Sequence, residues 1–577
     1  MNIITRIIKD LKCQCYVKKK AITLKKLDIS GTYHIMPLDF LTKSDKDKII
    51  LDADLLVQGK YQIFNYPRYI FRDWIRDPIT YKKIPRAICP SFIKTSALYD
   101  ETDVKNYWEQ GHLYGVVTLA EAYALTGNRI YAEKSIEYMT DWIAKNVIGT
   151  TICWKCPMDV AIRMVNMSLA VGLLGKSAID ERKQTVLLCS LYEQALYVTK
   201  NYENTGDFPN NHYLSDLVGV IWVCSLLDKM YKLPCAENIL YDSLSRLEEA
   251  LKRQIYPCGF DYEHSVYYHC FVTELIAETV DMLCRNGYVL PDYLCQTARK
   301  MLGACEYLGA FDLKGLPLFG DQDGSRLFLL RGFFDFDRCD FSSLSRFERE
   351  KGDSSEGGIY RMDGGDFRIY MKCGTIGTGN KGTHDHNDQL SVCLYYKKKP
   401  LIIDGGTYIY SLDTKKRNLY RSEEKHSNVM LEGELQNDIN KNIFSMQAKG
   451  EAHLISKAPL KGEYLYHSGK QVCREISISD NTVLLRDRWK KDIQGTSRIM
   501  IPFPLNACKQ LDDMHVLVKI LEDNIQFVSD KPMMLVSGQY SPAYGVEREC
   551  SIIVAVSDRG ITYKIGEIND FSDYEST

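Results

Sequence analysis

The period at which apolar residues recur changes once along the chain, and this change constrains the fold more than any other feature. From about residue 110 to about 335 the spacing is three and four, so that Phe271, Leu275 and Leu283 fall on one helical face. About seven or eight such helices follow one another, separated by short turn signals. This hairpin rhythm predicts an α/α array, either a solenoid or a toroid.

Beyond a segment rich in serine, glycine and charge at 341–358, the period becomes two. Phe367, Ile369 and Met371 alternate with their neighbours, and a second alternating run begins at Leu390. Such runs predict strands, and several of them in succession predict a large antiparallel sandwich.

At 577 residues the chain is too long for one ordinary core, and its length predicts roughly two to four domains. We place the helical domain at residues 101–345 and the β-sandwich at 346–577. Residues 1–100 show no clear period and are predicted to wrap around the helical domain.

The balance of charge bears on the partner. Lys and Arg number 73 and Asp and Glu 75, which gives a net charge of −2 and no general basic field. Nucleic acid is therefore not expected as a partner, and a polyanionic substrate would need a local basic cleft. No uninterrupted apolar stretch is long enough to predict a membrane span.

The cysteines and the N-terminus predict a cytoplasmic location. There are 19 cysteines without framework spacing, and the first residues lack the apolar run of a signal peptide. Cys153 and Cys156 form a C-x-x-C pair, and Cys13 and Cys15 lie close together. Neither pair has a second pair nearby for zinc or a thioredoxin-like context, and we interpret both as incidental.

Two polar clusters precede predicted helices. In the first, Asn210, Asn211 and His212 offer more polar groups than a helix cap needs, although capping alone is an equally good interpretation. The second includes Tyr268 and could be another cap with packed tyrosines. A phenol has a pKa of about 10, so a catalytic base at Tyr268 would need nearby cations to lower that pKa.

A third cluster pairs His384 with His386, just before a predicted strand. Residues two apart project to the same side of an extended chain, so one histidine could serve catalysis and the other a metal. Together with Asp404 and His426, His386 completes a His, Asp and His set that suits zinc with an open fourth position. The spacing is wide, and from these residues alone a polar loop is the stronger interpretation.

Taken together, the motifs resemble the heparinase II/III-like polysaccharide lyases. The resemblance rests on NNHYLSDLVG, GFDYEHSVYYH and LFGDQDGSRLF, and most specifically on HDHNDQLSVCLYYKKKPLIIDGGTYIY followed by NLYRSEEKHSNVML. It implies an incomplete (α/α) toroid followed by an antiparallel β-sandwich, which agrees with the change of period.

The resemblance also implies β-elimination on a uronic-acid glycan, in which the C5 proton is removed and the C4 oxygen leaves. Asn211 with His212 would neutralise the carboxylate, Tyr268 would be base, acid or both, and His384 would be the second proton-transfer group. The implied substrate-binding residues are Asn210, Glu263, His269, Arg326 and Arg421.

The remaining implications concern the metal, the partner and the compartment. His386, Asp404 and His426 would hold a structural zinc ion, or calcium. The partner would be an acidic polysaccharide or oligosaccharide, and the periplasmic location usual in the family stays open beside the cytoplasmic one.

Two other functions remain open. A glycoside hydrolase would need two carboxylates about 5–10 Å apart, and Asp261, Glu263 and Asp321 are available. A glycan-binding or surface-polysaccharide biosynthesis protein would act without turnover. The sequence does not indicate which glycan is cleaved, whether cleavage is endo or exo, or the oligomeric state.

Overall fold

A computed structural model describes residues 3–21, 33–35, 38–204, 206–439, 442–490 and 493–567. Helices dominate as far as residue 307 and antiparallel strands dominate from residue 359 onward. The predicted fold class, an incomplete (α/α) toroid followed by an antiparallel β-sandwich, is confirmed.

The helices are α1 (Ile3–Ala21), α2 (Lys43–Val57), α3 (Val104–Gly111), α4 (Tyr114–Thr126), α5 (Arg129–Lys145), α6 (Pro157–Ala178), α7 (Glu181–Lys200), α8 (Asn211–Tyr231), α9 (Pro234–Gln254), α10 (Val266–Arg285), α11 (Asp292–Tyr307), α12 (Gly377–Asn380) and α13 (Thr414–Arg421).

The toroid has an inner and an outer layer of helices. The inner helices α4, α6, α8 and α10 pack side by side, and each forms a hairpin with the outer helix that follows it. The inner helices are apolar on most faces and are buried almost all round, whereas the outer ones keep a polar face toward solvent. At Gly219 of α8 an added Cβ would lie 2.6 Å from the Cα of Ala161, so only glycine permits this close approach to α6.

The N-terminal residues extend the array as well as covering it, because α2 packs on α4 and α5 while α1 lies against α7. Within the described part of the chain, α6 alone is long and apolar enough to cross a membrane, and most of it is buried inside the protein.

The strands are β1 (Lys60–Tyr61), β2 (Tyr69–Ile70), β3 (Ile359–Gly364), β4 (Phe367–Lys372), β5 (Val392–Tyr396), β6 (Lys399–Ile402), β7 (Val429–Leu431), β8 (Asn437–Ile439), β9 (Met446–Ala448), β10 (Glu451–Lys457), β11 (Leu460–Leu465), β12 (Gln471–Ser479), β13 (Thr482–Trp489), β14 (Gly495–Ile501), β15 (Cys508–Asp512), β16 (His515–Ile520), β17 (Asp523–Ser529), β18 (Met533–Ala543), β19 (Val546–Ser557) and β20 (Gly560–Glu567).

Three larger antiparallel sheets build the sandwich. Their strand orders are β10-β11-β12-β13-β20-β17-β16-β15, β18-β19-β14-β7 and β3-β4-β5-β6. We call the third of these, β3-β4-β5-β6, the middle sheet.

The middle sheet lies between two hydrophobic cores. Alternate side chains of β5 serve different cores: Cys393 and Tyr395 join the cluster of the helices, while Val392 and Leu394 join the cluster of the sandwich. Because successive residues of a strand point to opposite faces, the same period of two serves both cores. The sandwich is thereby packed directly on the toroid.

The segment 341–358, predicted as the domain boundary, is packed against the toroid. The N–H of Glu350 donates to the carbonyl of Arg299 at 3.1 Å, and that of Asp353 to Cys258 at 3.1 Å. An added Cβ at Gly303 would lie 1.9 Å from the carbonyl oxygen of Glu350, so α11 has room for this segment only because that residue is glycine.

Candidate functional site

A cavity of about 260 Å³ lies where the toroid meets the sandwich. The toroid contributes Lys105, His212 and Tyr268 to its wall, and the sandwich contributes His384 and Tyr410. The three clusters of the sequence therefore have members at one cavity, although they come from distant parts of the chain.

Tyr268 lies in the first turn of α10, which is capped by Ser265. The hydroxyl of Ser265 accepts the N–H of Tyr268 at 3.2 Å. The phenol ring stacks on the imidazole of His384, with centroids 3.8 Å apart and planes 19° apart, and its hydroxyl lies 3.2 Å from that of Tyr410. The two groups predicted to transfer protons are in contact.

Burial, followed by the nearby Asp323 carboxylate, raises the pKa of Tyr268 well above the usual value of a phenol. Tyr268 therefore keeps its proton at neutral pH. The sequence argument required neighbouring cations to make it a base, but the negative charge nearby works in the opposite direction. This phenol is better suited to donate a proton than to accept one.

Asp321 connects the two histidines. Asp321 accepts a hydrogen bond from Nη2 of Arg417 at 2.7 Å. One of its carboxylate oxygens lies 3.0 Å from Nδ1 of His384, and the other lies 2.8 Å from Nε2 of His386. Burial alone would raise the pKa of Asp321, but Arg417 and the two histidines hold it well below the usual range. Asp321 is therefore a fully engaged, charged carboxylate.

The contact with Asp321 orients His384 as the aspartate orients the histidine of a catalytic triad. Because Nδ1 of His384 contacts Asp321, Nε2 is the second nitrogen of the ring. Nε2 lies 3.3 Å from an oxygen of Glu263, but the geometry is not that of a hydrogen bond, and it has no hydrogen-bond partner among the described residues. The ring lies on the cavity wall, and Nε2, buried beside Glu263, is its nitrogen without a hydrogen-bond partner, as a proton acceptor requires.

His386, Asp404 and His426 converge behind His384, and their potential ligand atoms lie within 4.8 Å of one another. Nδ1 of His386 and Nε2 of His426 are buried and have no hydrogen-bond partner in the described parts of the chain. Buried nitrogens without partners fit a bound cation, which would satisfy both.

The surroundings of these three residues also suit a metal. His386 is held by Asp321 through its other nitrogen, which is the usual outer support of a metal-bound histidine. Burial lowers the pKa of His386, so the ring is in the neutral form that binds metals. The residues present therefore fit the metal site that the sequence predicted, without indicating which metal.

At the start of α8 the three polar residues have different surroundings. Asn210 caps the helix, because its side-chain oxygen accepts the N–H of His212 at 3.2 Å. Asn211 is fully buried behind the cavity wall, and its amide donates to Glu263 at 3.0 and 3.1 Å. Both Asn211 and Glu263 contact the site from behind rather than from within the cavity.

His212 faces the cavity and carries positive charge. Although burial opposes its protonation, the Glu203 carboxylate, 3.1 Å from Nδ1, raises the pKa of His212 to about 9. At neutral pH it is a cation on the toroid side of the cavity.

Four of the five residues predicted to bind substrate do not line the cavity, which corrects the expectation: Glu263, which lies behind the wall, and His269, Arg326 and Arg421. Nε2 of His269 lies 3.2 Å from the carbonyl of Met301 inside the toroid, because neighbouring residues of a helix point about 100° apart. Arg326 is buried and its Nε donates to Glu274 at 3.0 Å. Arg421 is buried and donates to the carbonyl of Ser445 at 2.7 Å.

Four residues of the site were not identified from the sequence: Lys105, Asp323, Tyr410 and Arg417. Lys105 lines the cavity and pairs with Asp323. Arg417 lies one helical turn before Arg421 in α13, and it is this arginine that pairs with Asp321. No local pattern distinguishes the two arginines; only their positions on the helix do.

Comparisons with known proteins agree with the fold. The sequence profile of the heparinase II/III N-terminus matches residues 13–333, and that of the heparinase II/III-like C-terminal domain matches residues 348–568. No curated protein matches the sequence significantly.

Several solved structures share the fold at low sequence identity. One described as heparinase III has a TM-score of 0.66 at 14% identity, covering 97% of this chain and 90% of that one. A heparinase III gene product gives 0.61 at 16%, covering 93% and 87%. The heparan sulfate lyase HepC from Pedobacter heparinus gives 0.52 at 16%, covering 96% and 87%.

Proposed function

The chain belongs to the heparinase II/III-like family of polysaccharide lyases, and on that premise we propose that it cleaves a uronate-containing glycan by β-elimination in the cavity between its two domains. The observation that supports this best is the stacked pair of Tyr268 and His384 on the cavity wall, with Asp321 behind His384.

In the proposed reaction His384 takes the C5 proton of the uronate through Nε2. Asp321 holds Nδ1, so the ring stays oriented and the positive charge that develops on it is stabilised. Tyr268, which keeps its proton because of burial, protonates the C4 oxygen as it leaves. The stacked rings place donor and acceptor side by side.

The third requirement is neutralisation of the uronate carboxylate, which makes the C5 proton acidic. We assign this to the cationic His212 at the cavity wall, with Lys105 as a second positive group. Asn211 acts as a positioning residue, because its amide holds Glu263, which in turn faces His384.

The hydrolase alternative receives little support from the three carboxylates named for it. Asp321 is engaged by Arg417 and two histidines, and Glu263 is held by Asn211. Asp261 is buried, and one of its oxygens accepts the N–H of Glu263 at 2.8 Å. None of the three lies on the cavity wall as a free acid or base.

A panel of uronate polymers and oligomers tests the proposal. The names of the structural neighbours favour a glycosaminoglycan such as heparan sulfate as the first member of the panel. Cleavage should create a C4–C5 double bond, seen as rising ultraviolet absorbance, and an unsaturated end group by mass spectrometry. Reducing ends without that double bond would indicate a hydrolase, and binding without any product would indicate a binding protein.

We further propose that His386, Asp404 and His426 hold a zinc ion. When bound, the ion supplies a fixed positive charge and cross-links the loop of His384 to the loops around Asp404 and His426. His426→Ala is expected to lower the zinc content of the purified protein by about one equivalent and to lower its melting temperature.

His453→Ala is the matched control for the metal, because that histidine lies on β10 with 55% of its side chain exposed and does not belong to the ligand cluster. It should leave the metal content unchanged. Equal zinc content in His426→Ala and the unsubstituted protein would contradict the assignment.

A further inference from the structure

Cys156, Glu203 and His212 converge on the toroid side of the cavity, apart from the His386 cluster. Cys156 directly precedes α6, Glu203 follows α7, and His212 lies in the first turn of α8. The thiol sulfur is 3.6 Å from Oε2 of Glu203 and 3.7 Å from Nδ1 of His212, and that nitrogen is 3.1 Å from Oε1 of Glu203.

These separations are close to those around a tetrahedral zinc ion. Bond lengths of about 2.3 Å to sulfur and about 2.0–2.1 Å to nitrogen and oxygen, at tetrahedral angles, place sulfur about 3.5–3.6 Å from the other two ligands. The same geometry places nitrogen and oxygen about 3.3–3.4 Å apart. The sulfur stands at this spacing from Nδ1 of His212 and from Oε2 of Glu203, whereas Oε1, which lies 3.1 Å from Nδ1, is 4.0 Å from the sulfur. A shift of the carboxylate by about half an ångström would bring one oxygen to ligand spacing from both other groups.

Glu203 is held in place by hydrogen bonds to its side chain and to its backbone. Oε2 of Glu203 accepts the N–H of Met158 at 3.0 Å, and the N–H of Glu203 donates to Asp216 at 2.7 Å. Such outer contacts orient the ligands of metal sites in proteins. Cys156 directly precedes α6 and His212 lies in the first turn of α8, so all three ligands lie on or beside helices.

We propose that Cys156, Glu203 and His212 form a second divalent-cation site, of the zinc class, whose fourth position is open to the cavity. Three protein ligands with one open position is the arrangement of zinc sites that bind a water or a substrate atom. Cys156 and His212 both line the cavity that holds Tyr268, so the cation would face the same space. The site rests on this geometry and is independent of the proposed reaction.

A bound cation would keep positive charge on the toroid side of the cavity, where the protonated His212 supplies it otherwise. The ion would replace the Nδ1 proton of His212 and the thiol proton of Cys156, and both protons would pass to solvent. If the glycan is cleaved as proposed above, the open position is where an oxygen of the substrate carboxylate would bind. That extension, unlike the site itself, rests on the proposed function.

Cys153, the other cysteine of the C-x-x-C pair, is a matched control. It is buried, its sulfur lies 3.8 Å from the carbonyl of Tyr107, and it takes no part in the cluster. The pair is therefore not the metal motif. The site uses one of its cysteines with ligands from two other segments, which the spacing in the sequence does not reveal.

Cobalt binding to the full-length protein tests this site. Co²⁺ bound to a thiolate gives a near-ultraviolet sulfur-to-metal charge-transfer band, and the His386, Asp404 and His426 set contains no thiolate. The band is expected in the unsubstituted protein, in Cys153→Ser and in His426→Ala, and it should be lost in Cys156→Ser. Cys156→Ser should also bind about one equivalent less metal.

Glu203→Gln provides a second test, should Cys156→Ser fail to fold, because it keeps the thiol and the shape of the side chain. It should weaken Co²⁺ binding measured through the same band. Absence of the band in the unsubstituted protein, or a band of full intensity in Cys156→Ser, would overturn the proposal. Neither result would bear on whether the protein cleaves a uronate glycan.

Discussion

Tyr268→Phe is expected to lower kcat on a cleaved uronate glycan by about 10²–10⁴-fold, the usual contribution of a general acid. The substitution removes only the hydroxyl that faces Tyr410 and leaves the ring stacked on His384. The free energy of unfolding should fall by no more than about 1.5 kcal/mol, the worth of one hydrogen bond. Initial rates of double-bond formation and chemical denaturation measure the two quantities.

Tyr267→Phe is the control for this experiment. Tyr267 is also buried, its hydroxyl donates to the carbonyl of Ser325 at 2.9 Å, and Tyr267 itself does not line the cavity. It should lose a similar amount of stability and keep its kcat within about two- to threefold. Equal rates in the two variants would contradict the assignment of Tyr268 as the proton donor of the proposed reaction.

Asp321→Ala is expected to lower the free energy of unfolding by about 3–5 kcal/mol. The side chains of Asp321 and Arg417 are both 0% exposed, so removing the carboxylate leaves a buried guanidinium without its charged partner. Denaturant titration followed by circular dichroism measures the change. The double variant Asp321→Ala with Arg417→Met should recover part of the loss, because it removes the stranded charge.

Asp242→Ala is the matched surface control for this loss of stability. Asp242 pairs with Arg246 at 2.8 Å one helical turn away, but both side chains are largely exposed. Its effect should stay within about 0.5 kcal/mol. A loss of similar size in Asp321→Ala would mean that the buried network contributes no more to stability than a surface pair.

The order of the two domains could be predicted from the period alone, because helices and strands bury their faces at different spacings. The alternation at Phe367, Ile369 and Met371 also predicted β4 and its inward face correctly. The packing of the middle sheet against the helical core was not predictable. Tyr370 and Tyr395 have polar hydroxyls and suggested no core, yet they pack among the helices.

The site was predictable where local motifs carry it and not where only the fold does. Resemblance to the family pointed to Tyr268 and His384, which the structure places in contact. Arg417 and Lys105 belong to no motif, and they lie at the site because the fold places α13 and α3 beside it. Long polar residues such as Arg326 and His269 look available in a sequence, and only burial reveals that they are engaged elsewhere.

The middle sheet also decides where this enzyme can be divided for engineering. Because β4 and β5 give alternate side chains to the helical core, a chimera joined at the segment 341–358 would set a foreign sheet against this toroid. The better junction lies after β6, which keeps Tyr370, Tyr395 and His384 with the helices they contact. The functional unit for recombination is thus the toroid together with the middle sheet, rather than the toroid alone.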